Sequence, residues 1–324
     1  MASETPVCWI MQPVHPVAGV LLAEAGIDVH QGAQAPAAPA RVRALVSRNA
    51  PVDASLMDRL PELAVVAKHG AGIDAIDMAA ADARGIVVVA TPGANAQSVA
   101  EHALMLMLAV AKRLVAADKA MRADDFAFKF RSDFRELQGL TLGIVGLGDS
   151  GRRLARMAGL GLGMRVVAHS PSVPDAVFAE WGVTRLSLAE LLACADVVSL
   201  HVPARPDNAR MFGAAAFAAM KPGAILVNTA RGSLVDETAL AEALSSGRLG
   251  GAGLDVFAPE PPLPGNPLLV LDNVVLSPHA AGSTGAALER MARAVAEQVI
   301  DVLAGRRPAH LANPATWDRR QTKE

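Results

Sequence analysis

At 324 residues the chain predicts two domains, taking roughly 150 residues for each, and 52% hydrophobic content is enough to bury a core in both, which excludes disorder as its main description. The formal net charge of −2 lacks the basic excess of a protein whose chief ligand is a polyanion, so no nucleic acid partner is expected. Two cysteines, Cys8 and Cys194, are too few for a disulfide framework or a structural zinc cluster and read as small buried thiols of a reducing compartment.

The N-terminal stretch MASETPVCWIMQPVHPVAG has no basic region followed by a long apolar one, and no uninterrupted apolar segment nears the ~20 residues of a membrane span. The expectation is a soluble, cytoplasmic protein with no membrane partner. Over the first ninety residues short apolar runs alternate with helix-like patterns: VCWIM (7–11), VAGVLLAEAG (17–26), ALV (44–46), ASLMDRL (54–60), LAVVAK (63–68), AIDMAAADARG (75–85) and IVVVA (86–90). Buried strands alternating with amphipathic helices predict a parallel, doubly wound α/β sheet. The Ala/Pro stretch QGAQAPAAPA (31–40) reads as a surface loop.

A second unit begins near Ser98, where Ser98 and Glu101 have capping-box spacing and Ala103, Leu104, Met107, Leu108, Ala111, Leu114 and Val115 follow helical periodicity. The width of that stripe suits packing on a sheet or facing another subunit equally well. From Leu140 the alternation restarts with strands at 140–146, 164–170, 195–202, 224–230, 252–257 and 273–277 and helices between them, a second α/β domain of dinucleotide-binding type. A last helix, about 284–304, carries Leu288, Met291, Val295, Val299 and Val302 on one face. Because it follows the completed second sheet, it is expected to return to the first domain. That gives a discontinuous substrate domain, 1–97 and 286–324, with a dinucleotide-binding domain, 98–285, inserted in it.

Gly146-Leu147-Gly148-Asp149-Ser150-Gly151 fits G-x-G-x-x-G directly after a strand and before a helix. Glycines permit the tight turn and close approach to a pyrophosphate, and the helix N-terminus supplies amide hydrogens. Ser150 stands where an apolar residue is more usual. About 20 residues further on, NAD-binding folds place an acid on the adenosine ribose. Here the second strand ends in His169-Ser170-Pro171-Ser172, with neither a carboxylate nor an adjacent arginine. The cofactor is therefore read as NAD or NADP, with NADP tolerated or preferred.

Three further segments end at strand termini and hold ionisable residues: NTARG (228–232), DVFAPEPP (255–262) and SPHAAG (277–282). Ligands of open α/β sheets bind outside the carboxyl ends of strands, so Arg231, Glu260 and His279 can converge on one crevice. Arginine binds a planar carboxylate, histidine exchanges a proton near neutral pH, and a carboxylate beside it favours the imidazolium. These are the parts needed to reduce a 2-keto acid, with hydride from a nicotinamide. Taken singly each has a plainer reading: an ion-pair arginine, a solvated loop carboxylate, a helix-capping histidine. The other histidines show no H-E-x-x-H or similar spacing, so no metal is expected.

KHGAGIDAID (68–77), TPGANAQSVAEH (91–102), GIVGLGDSG (143–151), LHVP (200–203), NTARGSLVDETAL (228–240), AGLDVFAPEPP (252–262) and SPHAAGST (277–284) occur in order along the chain. By these motifs the sequence resembles the D-isomer-specific 2-hydroxyacid dehydrogenase family over essentially its whole length. The resemblance implies a Rossmann NAD(P)-binding domain inserted in a flavodoxin-like substrate domain. It makes Arg231 the ligand of the substrate carboxylate and keto oxygen, His279 the acid/base, and Glu260 the residue that orients it and raises its pKa. Backbone amides of the Gly70-Ala71-Gly72 loop, next to His69, would hold the substrate carboxylate. Asp255 would meet the nicotinamide carboxamide, and Val202, Pro203, Thr229 and Ala230 would line the cofactor cleft with the glycine turn, His169, Ser170, Arg231, His279 and Gly282. A homodimer through the nucleotide domain, with the helix from Ser98 at its interface, is also implied.

Glu260 stands where formate dehydrogenases of the family carry glutamine, which favours 2-keto acids. With the sequence ending soon after LANP (311–314), the regulatory domain of longer phosphoglycerate dehydrogenases is not expected. Arg48 and Lys68, near strand ends of the first domain, suit a second anionic group such as phosphate, or are solvated charges. The substrates expected are phosphoglycerate-like or glyoxylate/hydroxypyruvate-like. The alternative is a dinucleotide-sensing corepressor, since such proteins share the family's catalytic residues; the short C-terminal DRRQTKE speaks against it.

Overall fold

The computed structural model describes residues 5–321; the first four residues of the N-terminal stretch and the last three of DRRQTKE lie outside them. In chain order the elements are β1 (Val7–Ile10), α1 (Val17–Glu24), β2 (Asp28–Gln31), β3 (Val42–Ser47), α2 (Ala54–Asp58), β4 (Val65–Lys68), α3 (Met78–Arg84) and β5 (Val87–Val89). There follow α4 (Ala96–Ala111), α5 (Leu114–Arg122), β6 (Thr141–Val145), α6 (Asp149–Arg156), β7 (Arg165–His169), α7 (Asp175–Glu180), β8 (Thr184–Arg185), α8 (Leu188–Cys194) and β9 (Val197–Leu200). The chain closes with α9 (Ala214–Ala219), β10 (Ala224–Asn228), α10 (Glu237–Ser245), β11 (Leu249–Leu254), β12 (Val274–Leu276), α11 (Gly285–Leu303) and α12 (Pro314–Gln321). It divides into two compact units: one runs to Asn95 and resumes at Gly282, the other is Ala96–Ala281.

The first unit holds a parallel sheet ordered β2-β1-β3-β4-β5. Alternate strand residues point to opposite faces, and here both faces are covered. Cys8, Ile10, Val46, Val65 and Val89 pack with Leu22 of α1 and with Val295, Val299 and Val302 of α11. Trp9, Leu45, Val66 and Val88 pack on the other side with Leu56 and Met57 of α2 and Ala81 of α3. This is why the strands read as continuous apolar runs rather than alternating ones. Burial pushes the Cys8 thiol up to about 12; Cys194 is half-buried, not buried as its composition suggested. Trp317 of α12, a helix not foreseen in the sequence, joins the same core.

The second unit holds a parallel sheet ordered β12-β11-β10-β9-β6-β7-β8, so strand order reverses on either side of β6. One face packs on α8, α9 and α10 through Leu191, Phe217, Leu240 and Leu244. The other packs on α4 and α6 through Leu106, Met107, Val110 and Leu154. Gly251 and Gly253 of β11 let α4 come close: a Cβ at Gly253 would stand 2.8 Å from Leu106 Cβ. The doubly wound parallel architecture expected from the sequence is present in both units.

Three local expectations change. Ser98 lies inside α4 and its hydroxyl donates to the Ala281 carbonyl, so it does not cap the helix. The apolar stripe breaks at Arg113, whose φ of 47° is left-handed, so Leu114 and Val115 belong to α5 and face outward. Strands β2 and β8, of sequence DVHQ and TR, carry no apolar run and were not foreseen. No helix among the described residues is long and apolar enough to cross a membrane, and no group of three His, Cys, Asp or Glu among them could hold a metal ion.

Candidate active site

The glycine turn sits at the carboxyl end of β6, beside the point where strand order reverses, the usual ligand position of such sheets. Gly146 has φ 100°, and a Cβ there would lie 2.6 Å from the His201 carbonyl oxygen; at Gly151 it would lie 2.2 Å from the Gly146 oxygen. Gly148 meets nothing within 4 Å and caps α6 without a side chain, which leaves the helix N-terminus open. Asp149, in the first turn, is paired with Arg152 at 2.6 Å, which offsets its charge near an anion site. At the end of β10, Thr229 Oγ1 is buried without a partner, a condition proteins rarely tolerate unless a ligand supplies one. The close turn, the open helix end and the orphaned hydroxyl fit a dinucleotide.

Ser150 does not pack as an apolar residue would. Its Oγ lies 3.0 Å from His201 Nδ1, while Ser199 Oγ lies 2.9 Å from His201 Nε2. Burial pushes His201 down to about 4, so the ring is neutral at pH 7. Next along the crevice come Val202, half-buried, and Pro203, whose carbonyl accepts from Asn208.

At the end of β7, His169 Nδ1 is 3.1 Å from the Leu186 carbonyl and Ser170 is buried. No arginine is adjacent to this turn in the sequence, but one reaches it through the fold. Arg185, from the neighbouring strand β8, reaches the same turn and donates to the carbonyls of Val173 and Pro171 at 3.1 Å, and to Asp175. Strand pairing brings it there from fifteen residues beyond Ser170.

The ionisable residues after β10, β11 and β12 are held by short links. Asn228 fixes the NTARG turn: its Nδ2 donates to the Arg231 carbonyl at 2.9 Å and its Oδ1 accepts from Ala230. Gly232 then abuts the DVFAPEPP loop, since a Cβ there would overlap the Phe257 backbone at 2.0 Å. Glu260 turns back on that loop, accepting the Phe257 amide at Oε1 and pairing through Oε2 with His279 Nδ1 at 2.7 Å. Burial tends to raise the Glu260 pKa, but the bonds from His279 and Phe257 and the charges of His279 and Arg231 outweigh it. The carboxyl titrates below its usual range and is ionised near neutrality. With Nδ1 facing a carboxylate, Nε2 is the His279 atom left for a substrate.

Asp255 directly follows β11. It is fully buried, and its carboxylate takes Ser277 Oγ at 2.6 Å and the amides of Ala280 and Ala281 at 2.8 and 2.9 Å, with His102 Nε2 at 3.3 Å. In this structure it anchors the His279 segment. Burial works against its ionised form, yet these donors prevail and its pKa falls.

In the first unit, Lys68 and His69 are buried at the carboxyl end of β4, and Arg48 follows β3, donating to the Pro13 carbonyl at 3.0 Å. Burial and then the Arg48 charge push His69 down to about 4. Gly70 has φ 145°, and its amide is already shared between the Lys68 carbonyl and Thr91 Oγ1. Ala71 is exposed and Gly72 half-buried. Gly282 also belongs to this unit, where a Cβ would press on Asn95.

Residues 104–281 match a family model described as D-isomer specific 2-hydroxyacid dehydrogenase, NAD binding domain. The D-3-phosphoglycerate dehydrogenase of Mycobacterium tuberculosis (strain ATCC 25618 / H37Rv) is 45% identical over 265 residues, 81% of this chain and 49% of that protein. The chain thus spans about half the length of the phosphoglycerate dehydrogenases of this kind that it matches. The glyoxylate reductase of Korarchaeum cryptofilum is 41% identical over 266 residues, 81% of this chain and 80% of that protein. Among solved structures, an NADPH-dependent glyoxylate/hydroxypyruvate reductase from Sinorhizobium meliloti in complex with NADP and malonate superposes with a TM-score of 0.85 at 28% identity, covering 97% of this chain and 98% of that one.

Proposed function

This chain belongs to the D-isomer specific 2-hydroxyacid dehydrogenase family, and from that premise we propose that it is an NAD(P)-dependent oxidoreductase interconverting small 2-keto and D-2-hydroxy acids. The 2.7 Å pair between His279 Nδ1 and Glu260 carries the reading. The bound nicotinamide supplies or accepts the hydride. Arg231 holds the carboxylate and polarises the keto oxygen, and His279 Nε2 gives that oxygen its proton in reduction and takes it back in oxidation. Glu260 keeps Nδ1 protonated and so fixes which nitrogen reacts. Gly146, Gly148, Asp149, Ser150 and Gly151 form the pyrophosphate turn, with His169, Ser170, Val202, Pro203, Thr229 and Ala230 along the remainder of the cofactor.

The first unit is the substrate domain in this reading. The Gly70-Ala71-Gly72 loop, through amides other than that of Gly70, takes the carboxylate, while Arg48, Lys68 and His69 take the distal group. The substrate is 3-phosphoglycerate-like or glyoxylate/hydroxypyruvate-like, the two classes named among the relatives. Both cofactors are accepted: Ser170 sets no charge against a 2′-phosphate, and Arg185 places a cation at the same turn. The protein is a homodimer whose contact uses the apolar surface of α5 and the segment after it, where Leu114, Phe126 and Phe130 are exposed at 58%, 65% and 82%; a monomer in sedimentation would refute this. The free thiols Cys8 and Cys194 fit the reducing cytoplasm, which cell fractionation tests.

Absorbance at 340 nm, followed with NADH and with NADPH against glyoxylate, hydroxypyruvate and 3-phosphohydroxypyruvate, tests the assignment. Oxidation with a clear preference among the three acids is the expected result. Cofactor binding with no oxidation of either nucleotide would count against it.

A further inference from the structure

Helix α4 meets the segment that bears His279 at two points one turn apart. Ser98 Oγ donates to the Ala281 carbonyl at 2.6 Å, and His102 Nε2 lies 2.8 Å from Ser277 Oγ. Residues i and i+4 share one helix face, so Ser98 and His102 grip both ends of 277–281 with His279 at the middle. The donors and acceptors fix the proton positions. Ser277 has a single hydroxyl hydrogen, directed at Asp255 Oδ1 over 2.6 Å, so its oxygen accepts from His102, whose Nε2 carries a hydrogen. Asp255 closes the arrangement by accepting the amides of Ala280 and Ala281.

What these bonds hold is unfavourable on its own. His279 has φ 51°, a left-handed conformation that a residue with a side chain adopts only when its surroundings impose it. We propose that Ser98 and His102 are positioning residues for His279. They keep 277–281 in the one backbone path that turns Nδ1 to Glu260 and leaves Nε2 for the substrate. Neither touches the reacting atoms, and His102 acts through Ser277 and Asp255. The inference rests on the reading of His279 as acid and base.

The test uses the full chain with cofactor and its preferred keto acid. His102→Ala is expected to lower kcat about 10- to 100-fold, with KM and the cofactor Kd from tryptophan fluorescence within twofold of wild type. Its solvent deuterium isotope effect on kcat should rise as proton transfer becomes slower. His102→Gln, which can return an N–H near the Nε2 position, should recover most of the loss. Ser98→Ala is expected to act in the same direction by several fold and serves if His102→Ala does not fold. A kcat unchanged in both His102→Ala and Ser98→Ala overturns the proposal. So does an equal loss in His102→Ala and His102→Gln with the isotope effect unaltered, the mark of a merely structural role. His279→Ala separates this failure from that of the premise: full turnover without His279 removes the acid–base reading itself, whereas turnover lost there and kept in the α4 variants removes only the role of α4.

Discussion

The glycine turn after β6 and the His279 segment after β12 lie at carboxyl ends of strands in one sheet, yet side chains take very different shares in holding them. The turn is fixed by backbone contact: Gly146 lies against the His201 carbonyl and Gly151 against Gly146, with no room for a Cβ at either. The His279 segment adds side chains to its backbone bonds, in which the His279 amide donates to the Asp255 carbonyl and the Ser277 amide to that of Leu254: Asp255, Ser277, His102 and Ser98 together hold five residues around a left-handed histidine. A backbone-built site tolerates no added atom but asks little of its neighbours' chemistry. A side-chain-built site tolerates changes of size but depends on every donor and acceptor.

The largest expected effect breaks the turn. In Gly151→Ala the new Cβ would fall 2.2 Å from the Gly146 oxygen, so turn and helix must separate. Cofactor affinity should drop by about 100-fold, roughly 3 kcal/mol, a loss in the range of severe overpacking. Fluorescence titration measures it, and a Kd within threefold of wild type would show that the contact can relax. Glu260→Gln is gentler and sharpens the contrast, because it keeps the shape of the His279 partner and removes only its charge. Turnover should fall about 10- to 100-fold with cofactor affinity unchanged; equal turnover would mean that the charge on Glu260 is dispensable.

The smallest effect concerns stability against pH. His69 and His201 titrate at about 4 in the folded chain against 6.5 for an unperturbed histidine, so the unfolded chain binds more protons between these values. Their contribution is complete above pH 6.5 and is lost as pH falls towards 4. Asp255 and Glu260, with lowered pKa values, hold their contribution to lower pH and lose it only below the ordinary carboxyl range. Thermal unfolding should therefore show Tm declining from pH 6.5 downwards and less steeply in His201→Gln. A Tm flat between pH 6.5 and 4.5 would contradict the burial of these rings.

The same contrast explains what was legible in the sequence. The glycine turn spans six consecutive residues between a strand and a helix, and most strands of the two sheets announce themselves as apolar runs because both faces are buried. Arg231, Glu260 and His279 stand out in the sequence because each follows an apolar strand run. Links made by folding left no local pattern. Arg185 reaches the Ser170 turn through strand pairing, and Ser98 mimicked a helix cap while bonding to a carbonyl 183 residues away. His102 closes a motif that was visible, but its partners, Ser277 and Asp255, are far along the chain. The motif position of Asp255 likewise says nothing about its burial or its bonds to Ser277, Ala280 and Ala281. Polar strands such as DVHQ escaped for the same reason that edge strands generally do, since half their surface faces water.

In the proposed mechanism His279, held by Glu260, moves the proton while the glycine turn independently holds the nucleotide. Turnover and cofactor Kd measured together in His279→Ala test it most directly. Turnover should fall at least about 100-fold with the cofactor Kd within twofold of wild type. Turnover near the wild-type rate would contradict it.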